Sequence, residues 1–87
     1  MSGTAPTTLD IRLFALFREI AGSDHLRLTL PLPASSAQVL AAVIHQAPAL
    51  RPFENQMVIA INHHVGAREE MIAADDEVAI FPPVSGG

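Results

Sequence analysis

The 87-residue chain has no cysteine, no tryptophan, no tyrosine and no lysine, and each absence removes a class of chemistry. Without cysteine there is no disulfide scaffold, no Cys-ligated zinc, no iron-sulfur cluster and no thiol nucleophile, so stability has to come from packing. Five arginines are the only fixed cations against nine aspartates and glutamates, for a net charge of −4. No basic stripe exists to neutralise a phosphate backbone, and nucleic acid is not an expected partner. No apolar run approaches the roughly 20 residues that span a bilayer, and Met1 to Thr8 has neither a basic nor an apolar region. The expectation is a soluble cytoplasmic protein with no membrane partner. The chain also lacks a glycine loop that could cradle phosphates, so no bound cofactor is expected.

What is present is a chain that is 49% hydrophobic, long enough to bury roughly 60 to 65% of its unfolded surface. That supports one domain with a thin core and little interior for a deep active site, so any chemistry is expected to need a partner. Residues 1–8 lack periodicity and read as a flexible tail. Leu9, Ile11 and Leu13 alternate with polar residues as in a half-buried strand, and Phe14 breaks the alternation toward the more exposed face. Ala15 to Ala21 favours helix and stops at Gly22. Leu26, Leu28 and Leu30 mark a second strand ending at Pro31.

Ser35 and Gln38 form a capping-box pattern ahead of Val39, Leu40, Val43 and Ile44, which predicts a helix from Ser36 to Ala47 stopped by Pro48. Pro48 to Asn55 reads as a loop with Leu50 and Phe53 tucked beneath it. Met57 to Ile61 is apolar throughout, as for a strand covered on both faces. A turn at Asn62-His63-His64, a short strand from Val65 to Arg68, a turn at Ala73 to Asp76 and a last strand from Glu77 to Phe81 complete the order. One main helix covering one face of a small mixed sheet is an α+β sandwich, for which ubiquitin-like β-grasp is the natural topology. The domain then spans 9–81, and 82–87 forms an extended C-terminal tail.

That tail reads Pro82-Pro83-Val84-Ser85-Gly86-Gly87. Two prolines prevent a central strand from continuing and stiffen the exit. Paired glycines pack nothing and lose the most backbone entropy on ordering, so they suit a narrow channel in another protein that admits the backbone and reaches the terminal carboxyl. That carboxyl is an anion at neutral pH and a poor electrophile. Conversion to an acyl adenylate with ATP supplies the leaving group it lacks.

The segments Phe14-Ala15-Leu16-Phe17-Arg18-Glu19-Ile20-Ala21-Gly22, Ala60-Ile61-Asn62 and Asp76 to Gly87 resemble the small, sulfur-carrying subunits of molybdopterin synthase. The likeness runs from about Leu9 to Gly87. It implies a β-grasp carrier whose terminal Gly87 is adenylated by a ubiquitin-activating-like adenylyltransferase, using ATP bound there, and converted to a thiocarboxylate. The large synthase subunit then accepts the tail, and the sulfur passes to a cyclic pyranopterin monophosphate. On that resemblance Gly86 and Ser85 lie in the channel, and Phe81, Pro82, Pro83 and Val84 form the docked stalk. Phe14, Val65 and Phe81 correspond to an apolar partner-facing patch with Arg18 beside it as a polar contact. One departure is visible, since Asp75 stands where such proteins have a turn glycine, and aspartate tolerates a left-handed backbone.

Three alternatives stay open on the residues alone. A thiamine-type sulfur carrier shares the diglycine but usually lacks Pro-Pro-Val-Ser. A ubiquitin-like modifier would be joined through Gly87 to lysines of other proteins, and the missing lysine excludes self-chaining through side chains. A passive β-grasp interaction module would have no need for the diglycine. Metal binding is not expected: His63 and His64 would point to opposite faces of an extended strand and have no evident third ligand. His45 sits near a helix end, suited to its C-terminal carbonyls, and His25 opens a strand.

Overall fold

Alternation at Leu9, Ile11 and Leu13 builds strand β1 in the computed structural model, which describes residues 6–83. β1 covers Pro6–Leu13 and so begins before the predicted start at Leu9. Pro6, Thr7 and Thr8 belong to it because they lie opposite Pro31, Leu30 and Thr29 of the next strand, a pairing that periodicity alone does not reveal. Helix α1 spans Ala15–Ala21 and ends on Gly22 at φ +77°, whose N–H donates to the Arg18 carbonyl. A positive φ there is the ordinary use of glycine at a helix end. Strand β2 (His25–Pro31) returns antiparallel to β1.

A two-residue strand β3 (Ala34–Ser35) leads into helix α2 (Ser36–Gln46), and the capping box is formed as the sequence suggests. The Gln38 N–H donates to Ser35 Oγ at 3.2 Å, and the Ser35 N–H donates to Gln38 Oε1 at 2.8 Å. The next two N–H groups of that end, from Ser36 and Ala37, go to the carbonyls of Glu70 and Arg68. Pro48–Gln56 is a 3₁₀ helix, where the sequence reads as a loop over Pro48 to Asn55, because Pro48 at its start pre-sets φ and Leu50 N–H reaches the Ala47 carbonyl. Leu50 is buried and Phe53 packs on Phe17 with ring centroids 5.9 Å apart.

Strands β4 (Val58–Ile61) and β5 (His64–Val65) make a hairpin, β6 (Met71–Ile72) pairs with β3, and β7 (Val78–Phe81) is the last strand. The Val65 to Arg68 strand of the sequence reading is thus shorter and shifted. Asn62 and His63 occupy the hairpin turn with φ of +52° and +72°, positive at both central positions as in a type I′ turn. Apart from these two, Ala15 is the only described non-glycine residue with positive φ, so the turn at Asp75 forms without the left-handed backbone that aspartate would tolerate there.

The main sheet has the order β2-β1-β7-β4-β5, with β1 and β7 parallel and the other pairs antiparallel. This is the β-grasp arrangement. α2 lies on one face, and the core beneath it includes Ile11, Leu13, Val39, Val43, Val78 and Ile80. β4 is a correction to the sequence reading. Only Ile59 and Ile61 are buried, whereas Val58 and Ala60 are half-buried on the opposite face, so no element of the described chain covers that side. No helix among the described residues is long and apolar enough to cross a membrane.

Candidate functional site

The uncovered face holds a shallow depression of about 310 Å³. Its apolar lining comes from four strands and their ends: Phe14 after β1, Ala60 of β4, Val65 of β5, and Ala79 and Phe81 of β7. Register explains the convergence, since Arg12 faces Ala79, Phe81 faces Val58, and Ala60 lies between Ala79 and Val65. Phe14 is 40% and Val65 67% exposed, while Phe81 is half-buried. Leu16 of α1 is a further exposed apolar side chain at 44%.

Phe14 reaches this face through backbone geometry. It has φ −124° and ψ 156°, its N–H donates to the Ile80 carbonyl at 3.2 Å, and Ala15 follows at φ +52°. A left-handed alanine costs about 1–2 kcal/mol, and here it turns the chain sharply from strand to helix just after Phe14.

Charged groups edge the apolar surface. The Arg12 guanidinium lies 5.5 Å from the centre of the Phe14 ring, within cation–π range. His63 Nε2 stands 3.3 Å from Glu77 Oε1. A network fixes the two turns that carry that pair. Asn62 Nδ2 donates to Asp76 Oδ1, Glu77 N–H donates to Asn62 Oδ1, and Ala73 N–H donates to Asp76 Oδ2. The bond from Ala73, and then that from Asn62, hold the Asp76 carboxyl below its ordinary value. The other histidine contacts lie elsewhere: His25 meets Asp10 and His64 meets Glu70.

Of the residues singled out in the sequence, Phe14, Val65 and Phe81 are brought together, and Pro82 and Pro83 follow directly from β7. Arg18 is exposed on α1 outside the lining of the depression. Val84, Ser85, Gly86 and Gly87 lie outside the described residues. Sequence reasoning missed Arg12, His63 and Glu77 as members of this face. The signal for Arg12 was available, because it is two residues before Phe14 and a strand repeats its faces every two residues. His63 and Glu77 needed the tertiary pairing of two turns.

Residues 11–87 match the ThiS family. The chain belongs to that family. The chain is similar to the molybdopterin synthase sulfur carrier subunit of Arabidopsis thaliana, 30% identical over 84 residues that cover 97% of this chain and 88% of the relative. Small archaeal modifier protein 1 of Haloferax volcanii is 33% identical over 87 residues, covering 91% of this chain and 100% of the relative. Its crystal structure superposes with a TM-score of 0.80 and covers 92% of this chain and 99% of that one. In fold alone the chain is also similar to a protein in the complex of subunits 1 and 2 of molybdopterin-converting factor from Helicobacter pylori. There the TM-score is 0.60 at 20% identity, over 93% of this chain and all of that one.

Proposed function

We propose that this ThiS-family protein is a sulfur carrier for molybdopterin synthesis, working through its Gly87 carboxyl. An adenylyltransferase uses ATP to convert the carboxylate to an acyl adenylate with release of pyrophosphate. A sulfur nucleophile then displaces AMP to leave a thiocarboxylate. The large synthase subunit accepts the tail, the thiocarboxylate sulfur bonds to a cyclic pyranopterin monophosphate, and water cleaves the acyl C–S bond to return Gly87 to a carboxylate. Phe14, Val65 and Phe81 form the docking patch, Arg18 is a peripheral polar contact, Pro82 to Val84 act as a stiff stalk, and Ser85 and Gly86 enter the channel.

The observation that carries this reading is the apolar depression at the base of the stalk. Phe81 is at once a wall of the depression and the last residue of β7, immediately before Pro82-Pro83. A partner seated on this face therefore touches the strand from which the tail leaves the domain. Relatives named as molybdopterin synthase sulfur carrier subunits support the same assignment. The relative named as a small archaeal modifier favours a second reading, attachment of Gly87 to lysines of other proteins, which would share the adenylation step.

The test is ATP-pyrophosphate exchange by the cognate adenylyltransferase, with the native chain and with one alanine added after Gly87. The extra residue moves the carboxyl about 3.3 to 3.6 Å along an extended chain, and a misplacement of about 1 Å already costs on the order of a hundredfold in rate. Exchange with the native chain and its loss on extension is the expected outcome. Equal exchange with both would overturn the assignment of Gly87 as the activated residue.

A further inference from the structure

Arg12 is the one fixed cation that lines the depression, in a chain whose acids outnumber its arginines nine to five. Among the described residues no carboxylate lies within ion-pair distance of it, and its guanidinium lies against the Phe14 ring. The acids nearest in register, Asp10 two residues back on β1 and Glu77 before β7, face His25 and His63 instead. Stacking on Phe14 holds the guanidinium beside the apolar surface, with its five N–H donors available to whatever covers that surface.

Any protein that covers Phe14 also takes water away from Arg12. A charge desolvated without a counter-ion is costly, and a partner carboxylate, which accepts two parallel N–H bonds from a guanidinium, removes that cost. We propose that the partner docking on this face presents a carboxylate side chain to Arg12, next to the apolar side chain that fills the depression. The proposal rests on the reading of this face as the docking surface for the large synthase subunit. It goes further by giving that subunit's contact a charge and a place. Arg12 then determines partner specificity, because an apolar surface without the acid would leave the guanidinium buried and unpaired.

The test is titration of the purified large subunit with the native chain, Arg12→Gln, Arg12→Glu and Phe81→Ala, each checked for an unchanged melting transition, over a range of salt concentrations. The expected result is a loss of affinity of about 10- to 100-fold for Arg12→Gln and more than about 100-fold for Arg12→Glu, with a weaker salt dependence for Arg12→Gln than for the native chain. Native affinity and native salt dependence in both Arg12 variants, with binding lost in Phe81→Ala, would overturn the proposed carboxylate while leaving the docking face intact. Native affinity in all three variants would overturn the docking face itself.

Discussion

Phe17 and Phe81 are the same side chain in two environments, and the difference separates fold from function. Phe17 is 1% exposed and packs against Phe53, so Phe17→Ala is expected to cost about 3–5 kcal/mol of stability. Phe81 is half-buried on the open face, and Phe81→Ala is expected to cost about 2 kcal/mol or more of affinity for the large subunit and clearly less stability than Phe17→Ala. Thermal unfolding and partner titration on both variants check this. A stability loss in Phe81→Ala equal to that in Phe17→Ala, with unchanged affinity, would assign Phe81 to the core. Asp76 makes a different prediction. Its carboxyl is held below the ordinary value of 3.8 by the Ala73 N–H and then the Asn62 side chain. A depressed folded value means stability that is present above the unfolded value and lost as pH falls through the folded one. Asp76→Asn should therefore be less stable than the native chain near neutral pH, and the gap should narrow in acid. Denaturant midpoints at both pH extremes measure it, and a constant gap would contradict the assignment.

At the scale of elements, local chemistry was legible wherever it was self-contained. The Ser35/Gln38 capping box, the Gly22 cap and the alternation of β1 and β2 all involve residues close in sequence, and all are formed as read. Ser35→Ala is expected to destabilise the fold by about 1 kcal/mol, seen as a lower denaturant midpoint with unchanged slope; an unchanged midpoint would mean that the contacts of Glu70 and Arg68 suffice to hold the end of α2. What was illegible depended on distant partners. β3 and β6 are two residues each and exist only through each other. Pro6 to Thr8 are strand only because β2 continues alongside them. The apolar run of β4 reads as doubly covered, since a half-buried Val58 and Ala60 on an open face look the same in sequence as a buried pair. The candidate site was half legible for the same reason. Phe14, Val65 and Phe81 came from resemblance and Arg12 follows from the two-residue period of β1, whereas His63 and Glu77 emerge only when the two turns that carry them are brought together.

On the scale of the whole molecule, the two faces of the β-grasp sheet differ in kind. One face spends its leucines, isoleucines and valines on α2 and the core. The other holds an apolar depression edged by Arg12 and by the His63–Glu77 pair, beside the exit of β7. The chain has few charges of its own to place there, and the absence of lysine leaves arginine as its only fixed cation. The measurement that reaches the central claim most directly is the intact mass of the protein after incubation with its adenylyltransferase, ATP and sulfide. The account predicts the increment of one oxygen replaced by sulfur, localised to Gly87 and lost when the large subunit and cyclic pyranopterin monophosphate are added. An unchanged mass, or an increment that persists in the presence of both, would contradict it.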